Sequence, residues 1–328
     1  MEELLDGADR RARPLAASEP PLAALELPVL AGFGWDAEDA ADHRWYPQGI
    51  TTSHDAMPDG LWRGREIVLV SWALDNHAGV RVSFAELEAA GVRRYRHVLL
   101  GEPVRLPWER RVRLRPVRVH AGGIAWSGPY LWVADTIRGL RTFAVDQMLE
   151  LANGDLVMPQ VGAHRLRLLP ALAARGPRFS FVSLDRPADA DPPTLLAGEY
   201  RDRRPGSRIV RWPLPEPGAG EPRPLTAIEA FTTPRSNLQA VLGIDRGLLL
   251  ASSAGRDPGE LAVYRDPACE PATVHRWAVG PEDLTHLRGR DLVMSLTERP
   301  HDPGDCAACG RVVFAVSAGA LLDRGARA

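Results

Sequence analysis

Glu282 and Asp283, adjacent in VGPEDL, set two carboxyl groups at what reads as the opening of a short strand. Two acids entering one narrow space repel each other, which raises at least one pKa toward working pH, where a protonated carboxyl can hand over a proton and recover it. The competing use of such a pair is to accept hydrogen bonds from nearby backbone N–H groups. His120 is the candidate acid/base partner, Glu199 in LLAGEY a further carboxylate able to pair with it, and Asp135, closing LWVAD, another. A histidine in this setting is as readily a structural residue. Gln48 and Gln239 occupy matching positions in two segments, suited to orienting a substrate or to bonding backbone and water. Tyr46, Trp72 and Tyr200 offer aromatic surface for a substrate, though Trp45, Trp72, Trp126, Trp132 and Tyr200 equally suit packing between repeats, and Ser252 offers a hydroxyl.

The elements that must position these groups are repeated. The stretch VHAGGIAWSGPYLWVADTIRGLRTF (119–143) reads as three short strands separated by tight turns, and four other segments lie over it. The first runs WYPQGITT, EIVLVSW, GVRVSF, YRHVLL. The second is the stretch just quoted, closed by HRLRLL at 164–169. The third is RFSFVSL, PTLLAGEY, SRIVRWPL, and the fourth NLQAVLG, GLLLASS, GELAVYR, TVHRWAV. The fifth is PEDLTHL, DLVMSLTE, GRVVFAV. Starts spaced roughly 45–75 residues apart suit blades of four strands. Runs such as IVLV and LLLA lack alternation, as strands covered on both faces do. The expected fold is all-β: a five-bladed β-propeller closed by an N-terminal strand at 29–34. The alternative is a six-bladed ring, with extra strands drawn from 144–175. Residues 1–27 read as a partly disordered extension, 28–320 as one propeller domain and 321–328 as a tail.

Propeller geometry sorts the candidates onto faces. Starts of innermost strands and ends of second strands share one mouth of the channel. There the starts bring Tyr46, Gln48, His120, Ser180, Gln239, Glu282 and Asp283. The ends bring Trp72, Asp135, Glu199, Tyr200, Ser252, Ser253 and Glu298, with Asp75, His77 and His301 from neighbouring loops. A concave spot with a few convergent polar groups is where a ligand is expected. His54, Asp55 and Asp59 fall at the other mouth, where HDAMPDG reads as a turn, too sparse for a calcium loop.

Composition narrows the chemistry. A net charge of −2 favours neither nucleic acid nor an anionic membrane as partner. All 40 basic residues are arginine, which removes Schiff-base and phosphate-loop lysines. No nucleotide-loop, zinc-protease or nucleophile-elbow motif occurs, so no cofactor is expected. Cys306 and Cys309, with His301 before them, make an incomplete zinc set. Free thiols or a loop disulfide remain, with free thiols expected in a reducing compartment. Cys269 stands apart. The acidic N-terminus is not a signal peptide and no run reaches membrane-span length, so the chain reads as soluble and cytoplasmic.

At WYPQGIT, VHAGGIAW, LLAGEY and VGPEDL the chain resembles a group of largely uncharacterised bacterial propeller-like proteins, many of them secreted. The resemblance implies the fold and carries no activity with it; the lack of an export signal points to an intracellular task, such as a tailoring step in natural-product biosynthesis. The reaction expected is metal-free acid/base catalysis on a small organic substrate, a condensation or cyclisation of Pictet–Spengler type, with Glu282 or Glu199 removing the ring proton and tryptophans stacking on the ring. The strictosidine-synthase-type propeller cyclases supply a fold-level analogy for it. A propeller hydrolase, either a glycosidase or a metal-dependent lactonase, and a non-catalytic binding propeller are the alternatives. No obligate protein partner is expected.

Overall fold

The unbroken apolar runs become strands buried along nearly their whole length. In the computed structural model, Ile67–Leu74 and Thr194–Glu199 are covered at all but one end residue. The structure describes residues 4, 7–88, 91–105, 108, 112–168, 178–186, 192–215, 224–244, 247–266 and 269–323.

The fold is all-β and propeller-like. Strands follow one another in antiparallel meanders of four, each running from an inner strand outward. The first meander is Trp45–Thr52, Ile67–Leu74, Val80–Glu88 and Gly91–Val104. The second is Ile124–Ser127, Tyr130–Asp135, Gly139–Ala144 and Leu156–His164. The third is Phe179–Asp185, Thr194–Glu199, Ser207–Pro213 and Glu229–Thr233. The fourth is Leu238–Ile244, Gly247–Ala254, Asp257–Tyr264 and Thr273–Val279. The fifth contains Pro281–Leu287, Leu292–Thr297 and Val312–Ser317. Its outer strand is Ala31–Gly34, from the other end of the chain, paired with Val312–Ala315. Inner strands touch in the order first, second, third, fourth, fifth, and the fifth returns to the first.

The core is divided accordingly. One apolar cluster lies between the first and second meanders, around Leu69, Phe84, Trp126 and Phe143. Others lie between second and third, third and fourth, and fourth and fifth. The last joins the fifth to the first through Phe33, Trp35, Val70, Trp72 and Met294. Alternation therefore persists, but both of its faces are dry: Leu69 points into one cluster while Val68 and Val70 point into another.

Two details depart from the sequence reading. The outer strand of the second meander is Leu156–His164, not 164–169. It also pairs in parallel with the first meander, Val157 with Leu99 and Pro159 with Gly101, while Leu166–Arg167 pairs with Leu225–Thr226. The third meander has an outer strand, EAFTT at 229–233, that sequence alone did not suggest; it is half-exposed and holds a glutamate. Part of the N-terminal extension is tied down: Arg10–Arg11 pairs with Arg94 and Tyr95, and Arg13 exchanges backbone hydrogen bonds with Gly34. Among the described residues no helix is long and apolar enough to cross a membrane.

Phe33 sits on the closing strand and is fully buried. Phe33→Ala should cost about 3–5 kcal/mol, the range for a phenylalanine removed from a core. Urea unfolding checks this; a loss under about 1 kcal/mol, typical of a surface change, would show that the N-terminal strand only decorates the ring.

Candidate functional site

The inner strands do not begin regularly. Their register with the second strand slips between Pro47 and Ile50, Phe179 and Phe181, Leu238 and Ala240, and Pro281 and Leu284. Such bulges leave residues unpaired and re-aim their side chains. The residues freed include Gln48, Ser180, Gln239 and Glu282, and all four line one cavity of about 540 Å³ at this end of the ring. The second meander achieves the same without a bulge. Its inner strand starts late, at Ile124, and His120 reaches the cavity from the preceding segment, where Ala121 takes a positive φ of 55°.

Of the residues expected at this mouth, Gln48, His77, His120, Asp135, Ser180, Tyr200, Gln239, Glu282 and Glu298 line the cavity. Gln239 donates to Glu282 Oε1 at 2.8 Å, and Gln48 donates to Glu298 Oε2 at 3.0 Å. The His77 and His120 rings meet edge to face, 5.2 Å apart. Burial holds the Glu282 carboxyl well above the ordinary carboxylate range, with Glu298 and Asp283 pushing the same way. Glu298 is also raised by burial, against the bond from Gln48 and the positive charges of Arg299 and Arg311. His120 is pushed down to about 4, chiefly by burial and then by His77. Burial thus favours the uncharged form of both groups, the protonated carboxyl of Glu282 and the unprotonated imidazole of His120.

The other expected residues lie elsewhere. Asp283 is fully buried and turned toward backbone: the amides of Ile50, Leu284 and Ile124 point at its carboxyl, Ile50 at 3.1 Å. Burial still raises its pKa against those amides. The acid pair therefore divides, Glu282 facing the cavity and Asp283 joining inner strands. Glu199 is held by both arms of Arg208 and does not line the cavity. Asp135 does line it, but accepts from the amides of Ile137 and Arg138 and from Arg141 Nε at 2.9 Å, as a turn-capping acid would.

Trp72 is packed between meanders with its indole N–H on Ser83 Oγ at 2.7 Å, and Trp126 and Trp132 are equally buried. None of the three walls the cavity; Tyr200 is its aromatic residue besides the histidines. Tyr46 lies under the Arg311 guanidinium, and Ser252 sits in the sheet of the fourth meander, both outside the cavity lining. His301 bonds the carbonyl of Cys309 in a loop where Cys306 and Cys309 form a disulfide, not the free thiols expected. At the opposite mouth Asp55 is buried on Thr51, Thr285 and Arg288, and His54 meets Glu66 at 3.0 Å, so these groups serve the local fold.

Arg118 and Arg178 also line the cavity and were not foreseen. A signal existed: each lies two residues before a residue placed at the mouth, His120 and Ser180.

The two shifted groups predict opposite pH responses. Glu282, raised from an ordinary 4.5, lends stability that is fully present below that value and lost as pH rises through the folded pKa. His120, lowered from 6.5 to about 4, lends stability that is present above 6.5 and lost as pH falls toward 4. Urea titrations across pH should show Glu282→Gln flattening the alkaline-side decline and His120→Gln the acid-side one; slopes unchanged in both variants would contradict these environments.

No family model and no curated protein matches the chain. Among solved structures it is similar to the Dos1 propeller, at 10% identity and a TM-score of 0.37, over 87% of this chain and 70% of that one. It is also similar to the hydrazine synthase of Kuenenia stuttgartiensis, at 10% identity and a TM-score of 0.33, over 78% of each chain.

Proposed function

We propose that this chain is a cytoplasmic enzyme of small-molecule metabolism, a five-bladed propeller related to the bacterial group it resembles, working by acid/base catalysis in its axial cavity. The carrying observation is the convergence of Gln48, His120, Gln239, Glu282 and Glu298 on one space of about 540 Å³. Two titratable groups shifted in opposite directions within one cavity are what proton transfer requires. Glu282 is the proton donor. Gln239 donates to its Oε1, which leaves Oε2 to carry the proton. His120, neutral near pH 7, is the acceptor. Gln48 and Gln239 set the orientation of the two glutamates.

The reaction class this pair fits is one where a carbon–oxygen or carbon–nitrogen double bond gains a proton from Glu282 while another proton leaves the substrate to His120. Iminium condensation and cyclisation, the Pictet–Spengler type, belongs to that class. In this reading the base is His120 in place of Glu199, whose oxygens are engaged by Arg208, and ring stacking falls to Tyr200.

The test is incubation of the protein with arylethylamines and aldehydes, followed by product analysis. Glu282→Gln keeps the acceptor for Gln239 and removes the titrating proton, so turnover should fall about 100-fold or more, with binding changed only a few-fold. Absence of product from the unaltered protein, or equal product from the variant, eliminates the cyclisation.

A further inference from the structure

We propose that the rim of the cavity binds an oxyanion carried by its small organic ligand, with Arg118, Arg178 and Ser180 as the binding groups. This rests on the reading of the cavity as a small-molecule site and adds the chemical class of what enters it.

The argument begins with which charges are already matched. Asp135 is paired with Arg141, and Glu199 with Arg208. Glu282 and Glu298 each accept from a glutamine amide. Arg118 and Arg178 remain. Both are exposed and line the cavity, and neither side chain has a hydrogen bond or ion pair among the described residues. The Ser180 hydroxyl, half-buried on the same lining, has no partner among them either.

These groups share a rim because the segment before Ile124 runs in backbone contact with the strand Phe179–Asp185. A Cβ on Gly122 would lie 2.1 Å from the Ser180 carbonyl oxygen, and one on Gly123 would lie 2.1 Å from the Val182 nitrogen. Only glycine permits that approach. Arg118 lies in the segment that leads to Gly122 and Gly123, and Arg178 stands one residue before the strand Phe179–Asp185. Two guanidiniums on one cavity without an anion between them repel, whereas a carboxylate or phosphate received by their planar forks gains charge-assisted hydrogen bonds.

The remainder of the cavity fits a ligand charged at one end. At its interior wall burial favours the uncharged forms of Glu282 and His120. A second anionic group is therefore not called for there, and the uncharged reacting end of the ligand faces that wall while its oxyanion stays at the rim. Carboxylic acids and phosphate monoesters share this chemistry.

The experiment is a titration of the full chain with four probes on one aryl skeleton: phenylacetate, phenyl phosphate, phenylacetamide and phenethylamine. It is run by calorimetry at low and high salt on the unaltered protein and on Arg118→Gln, Arg178→Gln and the double variant. Both arginines are exposed, so the variants should keep the unaltered unfolding midpoint. At least one anion should bind about tenfold or more tighter than the amide, and weaken as salt rises. Each single substitution should lower that affinity by about 10- to 100-fold, the range for a hydrogen bond to a charged group. Which anion binds tighter separates a carboxylate from a phosphate ligand. Amide or amine binding as tight as either anion, or anion binding unchanged in the double variant, overturns the rim proposal and leaves the cavity as a small-molecule site. If none of the four binds, both readings fall.

Discussion

The inner and second strands of the described meanders are covered on both faces along nearly their whole length, and most of the structure follows from that. A second strand such as Ile67–Leu74 sends Leu69 into the cluster shared with the second meander and Val68 and Val70 into the cluster shared with the fifth. Each meander therefore needs a neighbour on both sides, and a row of such sheets has bare apolar ends until the last meets the first. The cluster around Phe33, Trp35 and Trp72 is where they meet. Closure in turn fixes the inner strands around one axis, and only then do residues far apart in sequence, such as Gln48 and Glu298, come within 3.0 Å.

The ring places its inner strands so close together that ordinary pleating cannot serve both the backbone and the cavity. The bulges resolve this by giving one residue to each task. Around Pro281–Leu284, Asp283 takes amides from neighbouring strands and Glu282 takes the cavity. The same division leaves Gln239 free to bond Glu282. Two acids that look like one functional pair in the sequence are thus one group turned to backbone and one turned to the cavity.

How much could be read beforehand varied with the physical signal. Strands with dry faces carry long apolar runs, so the inner and second strands were legible, as was the use of the N-terminal strand to finish the fifth meander. Outer strands are half-exposed and carry little pattern; EAFTT at 229–233 was missed and the strand at 156–164 was sought too late in the chain. The cavity was legible where residues start inner strands, since topology alone puts those at one mouth. It was not legible where a partner decides the outcome: nothing in LLAGEY announces that Arg208 occupies Glu199, whereas packing between repeats was one of the two uses read for Trp72, and it is the one found. Ion pairs between separate strands have no local signature. Arg118 and Arg178 were not legible for a different reason: both lie before the inner strands, two residues ahead of His120 and Ser180.

The strand Ala31–Gly34 leaves the ribosome long before its partner Val312–Ser317 exists. Until residues 312–317 are made, Ala31–Gly34 lacks the strand it pairs with, and without it the fifth meander shows an unpaired edge. The join pairs Ala31 with Ala315 and Gly34 with Val312, so a long loop closure must be met before the contact returns any stability. Joining the first and last meanders therefore waits for Val312–Ser317: forms cut before that strand retain a sticky border, and such borders recruit strands from other copies.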